Sequence, residues 1–366
     1  MKRFTKILIS LIFTFFLILS PILSGSAEES AGDDEIQAQV DEILADYDIS
    51  YSYGDMSGLS LSEIITSVKD AVVSRIKAPF KMLGIILMIV VFISLMKNVG
   101  ETALSKSSSE NMYSLICVLS AVAVISSPLL QAFENAANTL ERGGSFMLVF
   151  VPVFAGISMV SGGVTSAGIY NAVILAAAEI MVQLASTVIM PVLTMTAALS
   201  ISGSVFPNST VDNIVQLMKK IITWGMTLTV TLFTGFVSMN SALRAVVDGF
   251  ASKAAKLGIS GFVPVVGSAV SDAYSAVKGS FDIMRCTAGT AGTIAIVLIM
   301  LPPILEILAF RAAMWISQTA AGMFSLTPLE KLFKGLDSGL AIAMSVLVCF
   351  SALFLISTAI LMKSMT

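Results

Sequence analysis

The chain has 366 residues, of which 56% are hydrophobic and only 12% are charged, with 24 acidic residues against 21 basic ones. A soluble protein is about a quarter charged, so this composition predicts a chain that lies mostly in a lipid bilayer. Histidine is absent, which excludes imidazole-activated nucleophiles and histidine metal ligands. The net charge of −3, without a basic patch, argues against nucleic-acid binding as the primary activity.

Residues 1–27 have the pattern of a secretory signal peptide. Three basic residues precede an apolar run over 7–23, and the small residues 25–27 follow it. We expect cleavage after Ala27. An uncleaved anchor is the alternative, because the run, broken by Pro21, is long for a signal core. In either case the basic residues stay inside, and the chain continues on the extracytoplasmic side.

Residues 28–78 form an acidic segment. Twelve of the 24 acidic residues lie between Glu28 and Asp70, together with a single base, Lys69. Apolar residues at helical spacing predict two short helices on the extracytoplasmic side. The turn-rich connector between them, residues 46–55, either docks on a partner or packs on its own helices.

From Lys81 onward the sequence predicts a polytopic all-α bundle of transmembrane helices. The first span and a cytoplasmic loop occupy 79–110, a further loop occupies 204–220, and a cytoplasmic loop with the last span occupies 316–366. The predicted spans lie near 82–98, 111–130, 168–190, 221–240, 290–310 and 339–362. Segments 146–167 and 257–271 are apolar but interrupted by Gly, Pro and Ser, which favours broken or re-entrant helices.

A sequence motif recurs in the membrane region. Pro152 in Phe-Val-Pro-Val and Pro264 in Phe-Val-Pro-Val are 112 residues apart, and the same offset relates Pro191 to Pro303. We therefore predict an internal duplication, with residues 111–203 and 221–315 as two copies of one membrane unit. Coincidence among similar apolar residues is the alternative. Repeated units with broken helices are a recurrent design of transporters and channels.

Basic residues give the predicted orientation. If the broken segments re-enter without crossing, then Lys97, Lys219, Arg311 and Lys331 lie on the cytoplasmic side, in agreement with the positive-inside rule. Residues 243–286 do not fit, because they would lie outside with five basic residues.

Ionisable residues inside spans are functional candidates, because they are expensive to place in lipid. Asn171, Glu179 and Gln183 share one helical face, being eight and four residues apart. With Glu306, which follows Pro303, they are the predicted lining of a transport path. The alternative is that these residues form hydrogen bonds between helices. For Glu306 we favour a structural pair with Arg311 at the membrane edge.

The sequence offers no set of residues for enzymatic chemistry. Phosphate-binding loops of the Gly-x-x-x-x-Gly-Lys type and intramembrane protease motifs are absent from it. The three cysteines are far apart in apolar sequence, so they predict neither a zinc site nor a disulfide framework. We therefore expect no catalytic residues, no metal and no cofactor. The glycine-rich run 289–292 is interpreted as a close-packing helix surface.

Several stretches together resemble a known family. A signal-like start, the acidic segment, Lys81-Met-Leu-Gly-Ile-Ile-Leu87 and, above all, Gly261-Phe-Val-Pro-Val-Val-Gly-Ser-Ala-Val-Ser-Asp-Ala273 look like the stage III sporulation protein AE family of endospore-forming Firmicutes. The resemblance covers essentially the whole chain. The family has no established catalytic residues to carry over.

The resemblance implies a multi-pass protein of the mother-cell membrane that faces the forespore. It implies partners among the other stage III sporulation operon A proteins, including ring proteins and the ATPase AA, and indirectly stage II sporulation protein Q. The leading hypothesis is a component of a secretion-like channel complex that forms or gates a transport path, with residues 28–78 docking the ring. A non-conducting membrane scaffold and a free-standing secondary transporter of a small solute are the alternatives.

Overall fold

The computed structural model describes residues 61–103, 109–160, 164–184, 190–205, 211–262 and 267–363. This part of the chain is helical throughout, apart from one short turn, which confirms the all-α prediction. The signal peptide and most of the acidic segment lie outside it. The helices are α1 (Leu61–Ala103), α2 (Ser109–Val160), α3 (Val164–Leu184), α4 (Met190–Val205), α5 (Val211–Phe262), α6 (Gly267–Met323) and α7 (Thr327–Lys363).

Four described helices are long and apolar enough to cross a membrane. These segments are Arg75–Met96 of α1, Leu115–Val160 of α2, Ser275–Met323 of α6 and Thr327–Ala359 of α7. They coincide with four of the six predicted spans, and the two other predicted spans, 168–190 and 221–240, begin on α3 and α5. The chain is therefore a multi-pass membrane protein.

Two of these apolar helices are longer than a single crossing requires. The segments of α2 and α6 have 46 and 49 residues, which at 1.5 Å per residue gives about 70 Å each. The hydrocarbon core of a bilayer is about 30 Å thick. Both helices therefore extend well beyond one hydrocarbon layer.

Helix α7 lies at the centre of the bundle and packs against α2, α3, α4, α5 and α6. A tight turn joins it to α6. Ser325 adopts a φ of 55°, and Leu326 N–H donates to the carbonyl of Ala321 at 2.9 Å. This is the Schellman arrangement that ends a helix. It makes α6 and α7 an antiparallel hairpin, so residues equally far from the turn face each other.

Aromatic rings and a glycine seal the contact between α2 and α6. Phe150 stacks between Phe146 and Phe154 of α2, at ring-centroid distances of 5.3 and 5.5 Å, and meets Phe354 of α7 edge-on at 5.8 Å. The ring of Phe150 occupies the space that a Cβ at Gly292 would need. This contact confirms that the run 289–292 is a close-packing surface.

The predicted helix breaks occupy less of the chain than expected. Helix α2 is continuous through Pro152 to Val160, and α3 begins at Val164, so the described residues of 146–167 are helical. Residues 161–163 lie outside the described residues. Pro264 lies in 263–266, also outside the described residues. Pro191 is the second residue of α4, where proline is well tolerated, whereas Pro303 lies within continuous α6. The matched prolines therefore differ in position relative to helix ends, and the duplication stays a prediction.

Candidate functional site

A buried carboxylate joins three helices of the bundle. Glu306 of α6 has 7% of its side chain exposed, and its Oε2 lies 3.1 Å from Nη1 of Arg75 on α1. The amide of Asn135 on α2 donates to Oε1 of the same carboxylate at 3.1 Å. We call Arg75, Asn135 and Glu306 the Glu306 junction.

The three residues of the Glu306 junction are polar residues in apolar helices, and their side chains meet at the same height in the bundle. Arg75 is the first residue of the apolar segment of α1, while Asn135 lies midway along the apolar segment of α2. Pro302 and Pro303, both buried, precede Glu306 by one turn and lie within the helix. A charge buried among apolar helices is stable only when it is paired and hydrogen-bonded. Arg75 and Asn135 meet that requirement for Glu306.

A second ion pair lies next to this junction. Arg311 of α6 donates from Nε to Oδ1 of Asp337 on α7 at 2.8 Å. Lys219 of α5 lies close enough to interact electrostatically with both Arg311 and Asp337. Burial lowers the pKa of Lys219, the Asp337 carboxylate opposes this effect, and the Arg311 guanidinium adds to it. Gln216 of α5, which donates to Ser338 Oγ at 3.3 Å, extends the polar contacts between these helices.

The structure gives Glu306 a different partner from the one predicted. We expected Glu306 to pair with Arg311, but Glu306 binds Arg75, and Arg311 binds Asp337. The reason is helical geometry: residues five apart on an α-helix point about 140° away from each other. Glu306 and Arg311 of α6 therefore pair with residues of two different neighbouring helices, α1 and α7.

The same contact corrects the predicted orientation. Residues 28–78 were expected outside the membrane and Arg311 inside. However, Arg75 lies 3.1 Å from Glu306, and Arg311 is only five residues, or about 7.5 Å, further along α6. Residues so close cannot lie on opposite sides of a hydrocarbon core about 30 Å thick. Arg75 and Arg311 therefore do not lie on opposite sides of the membrane.

The predicted path residues on α3 are not near this junction. Glu179 and Gln183 are exposed on the outer side of α3, and Asn171 is half-buried. Within the described residues, the side-chain hydrogen bonds of Glu306 go to α1 and α2. The Oδ1 atom of Asn171 is buried and lacks a hydrogen-bond partner. The structure thus separates the candidates into an interior junction and an outer helix face.

The Glu306 junction and the exposed face of α3 differ in the chemical groups that they present. The Glu306 junction holds paired charges, so it can lock three helices together. The α3 face presents the carboxylate of Glu179 to whatever surrounds the chain. Within the described residues, no group of three or more Cys, Asp or Glu side chains is arranged to hold a metal ion.

Sequence reasoning missed Arg75, Asn135 and Asp337. Asn135 carries a sequence signal, since it is a polar residue within a long apolar helix. Arg75 had been assigned to the acidic segment, and Asp337 had been treated as part of a loop and span. The roles of Arg75, Asn135 and Asp337 depend on tertiary contacts with residues 231, 171 and 26 positions away, respectively.

Comparison with known proteins identifies a family. A family model described as "Stage III sporulation protein AE" matches residues 48–365. A protein of Bacillus subtilis (strain 168) named "Stage III sporulation protein AE" is 24% identical over 308 residues, which cover 83% of this chain and 74% of that protein. No solved structure matches the chain significantly.

The family model spans most of the chain and includes all the helices that the structure describes. The predicted resemblance is therefore confirmed, and it implies a role in sporulation. This multi-pass membrane protein belongs to the stage III sporulation protein AE family.

Proposed function

We propose that this chain is an integral membrane component of a channel complex between mother cell and forespore, and that it forms or gates a transport path. It acts in the mother-cell membrane without an enzymatic reaction of its own. Its partners are other products of the stage III sporulation A operon, including ring proteins and the ATPase AA, and indirectly stage II sporulation protein Q. The amino-terminal acidic segment, residues 28–78, docks the ring on the extracytoplasmic side.

The observation that carries this proposal is the outer face of α3. Helix α3 has 21 residues and Glu179 is its single charged residue. Glu179 and Gln183 are exposed, whereas Glu306 is buried and paired. Polar side chains at membrane depth normally face protein or water, because lipid cannot solvate them. A transport path beside α3 would provide that environment.

A double substitution tests the proposal. Glu179→Leu with Gln183→Leu keeps side-chain size while removing the polar groups. If these residues line a path, expression of a late forespore reporter should fall while the operon partners still co-purify with the chain. Ile180→Leu, on the same exposed face, is the matched control and should leave the reporter unchanged.

Normal sporulation of the double variant would overturn the path and favour a non-conducting scaffold. One observation favours that second function: two contacts inside the described part of the bundle are filled. Glu306 is bonded to Arg75 and Asn135, and Phe150 fills the space beside Gly292. A scaffold needs only this rigid bundle and its docking segment.

A further inference from the structure

Arg285 of α6 is a buried arginine whose hydrogen bonds are incomplete. Its side chain is 2% exposed. One nitrogen, Nη2, donates to the carbonyl of Met362 on α7 at 3.4 Å and lies 3.6 Å from Oδ1 of Asp282, which is beyond hydrogen-bond distance. The other two nitrogens, Nε and Nη1, are buried and lack a hydrogen-bond partner in the described part of the chain. These two nitrogens carry three of the five N–H groups of a guanidinium.

A guanidinium in this state is unfavourable. A buried charge is stable only when it is paired and hydrogen-bonded, and an arginine side chain cannot avoid the cost by losing its proton. Glu306 is buried to a similar degree, and Arg75 and Asn135 bond to it. Asp282 compensates Arg285 only in part, because the Asp282 side chain is 35% exposed. Arg285 therefore requires an acceptor that the described residues do not supply.

The position of Arg285 along the helices indicates which acceptor is available. Residues 286–305 of α6 contain no charged side chain, and neither do residues 338–362 of α7. The two uncharged stretches end together, because Arg285 bonds to Met362. From Arg285 to Glu306, α6 rises about 32 Å, close to the thickness of the hydrocarbon core. Arg285 thus lies at the end of a stretch of bilayer length, which is the level of lipid headgroups.

We propose that Arg285 binds a phosphate group, and that this phosphate belongs to the headgroup of an anionic lipid. Arginine forms strong, charge-assisted hydrogen bonds with phosphate oxygens, and basic positions between transmembrane helices recognise lipid headgroups. Nε and Nη1 donate to the phosphate, while Nη2 keeps its bond to the last turn of α7, where helix carbonyls have no partner in their own helix. The bound lipid then joins α6 to the end of α7.

The surroundings of Arg285 give a headgroup access to it. Asp282 is partly exposed and lies 3.6 Å from Nη2, so the surface of the chain is within one side-chain length of the guanidinium. Met362 is half-buried, and its Sδ lies beside Gly289, one turn from Arg285. A methionine side chain is flexible and rearranges at low cost. Movement of the Met362 side chain therefore opens the guanidinium to the lipid surface.

Native mass spectrometry of the full-length chain in detergent tests the site. The measured quantity is the ratio of lipid-bound to lipid-free chain with added phosphatidylglycerol, and phosphatidylcholine is the comparison without net charge. Arg285→Gln should weaken phosphatidylglycerol binding about tenfold, because hydrogen bonds from a charged donor to phosphate are lost. Arg142→Gln is the matched control, since Arg142 is an exposed arginine on α2, and its lipid binding should equal that of the parent.

Asp282→Asn should have the opposite effect. The Asp282 carboxylate lies beside the guanidinium and repels an anion that approaches it. Removing this negative charge should strengthen phosphatidylglycerol binding about threefold. The two substitutions on one helix therefore change lipid binding in opposite directions.

Thermal unfolding separates a lipid site from a purely structural cap on α7. A ligand stabilises the folded chain only where it binds, so phosphatidylglycerol should raise the Tm of the parent and of Arg142→Gln but not that of Arg285→Gln. If Arg285 only caps α7, Arg285→Gln lowers the Tm equally with and without phosphatidylglycerol.

Three outcomes would overturn the inference. One is that equal Tm loss. Another is phosphatidylglycerol binding by Arg285→Gln that is as tight as binding by the parent. The third is an equal rise in Tm with inorganic phosphate alone, which would make a free phosphate ion the ligand instead of a lipid.

Discussion

Two glutamates on apolar helices of this protein lie in opposite environments. Glu306 has 7% of its side chain exposed and is bonded to Arg75 and Asn135, which belong to two other helices. Glu179 is exposed on the outer side of α3, facing away from the core. The comparison teaches that a carboxyl group in an apolar helix does not identify a transport path by itself. An interior carboxyl with partners holds helices together, whereas an outer one depends on what surrounds the chain.

The largest effect is expected where the interior charges are paired. Glu306→Ala leaves the Arg75 guanidinium and the Asn135 amide without their acceptor. Breaking a buried ion pair from one side costs several kcal/mol, and because Arg75 is about one third exposed we expect a loss of about 3 kcal/mol. The free energy of unfolding of the purified chain in detergent measures it.

Glu134→Ala is the matched control for this change, since Glu134 is an exposed glutamate on α2, one residue before Asn135. Its replacement should change the free energy of unfolding by less than about 0.5 kcal/mol. If Glu306→Ala and Glu134→Ala change the free energy of unfolding equally, the Glu306 junction does not stabilise the fold. The structural role of Glu306, on which its contrast with Glu179 depends, would then be contradicted.

The second prediction concerns how tightly α2 packs against α6. Gly292→Ala introduces a methyl group into the space occupied by the ring of Phe150, so α2 and α6 must separate or the ring must move. Overpacking of this kind costs about 2 kcal/mol. In the same helix, Gly279 has nothing within 4 Å of its Cβ position. Gly279→Ala should be neutral or stabilise by up to about 1 kcal/mol, as alanine favours helices.

Thermal unfolding of both alanine variants distinguishes these cases. A Gly292→Ala protein as stable as the parent would mean that the contact between α2 and α6 has room to open. A transport path through the interior of one chain would then be favoured over a path beside α3. Glu306, as an interior residue, would then be a better path candidate than Glu179.

A smaller effect is expected at the second ion pair. Asp337→Asn keeps the shape of the side chain but removes the charge that faces Arg311 at 2.8 Å. The side chains of Arg311 and Asp337 are 17% and 27% exposed, so water compensates for part of the loss. We expect about 1 kcal/mol of destabilisation. A loss as large as that from Glu306→Ala would show that both pairs form one charged network.

The sequence predicted the helical class and four spans because apolar runs of bilayer length depend on local composition alone. It also located the close packing at 289–292, since small residues in a span have few other uses. It did not predict that Glu306 pairs with Arg75. That pairing depends on how α1 aligns with α6, which no local pattern specifies. The assignment of Arg75 and Arg311 to opposite sides was wrong for the same reason: span counting orders helices along the chain, whereas contacts determine their relative heights.

The smallest effect on the chain itself is expected at Glu179. Because this side chain is exposed and makes no hydrogen bond or ion pair with the described residues, Glu179→Leu should change the free energy of unfolding of the detergent-solubilised monomer by less than about 0.5 kcal/mol. Ile174→Ala, on the buried side of the same helix, should cost about 3 kcal/mol. If Glu179→Leu destabilises the monomer as much as Ile174→Ala, then Glu179 supports the fold of its own chain as Glu306 does. If the monomer is unaffected while expression of the late forespore reporter falls, the carboxyl acts outside the fold of its own chain, as a residue lining a path beside α3 would.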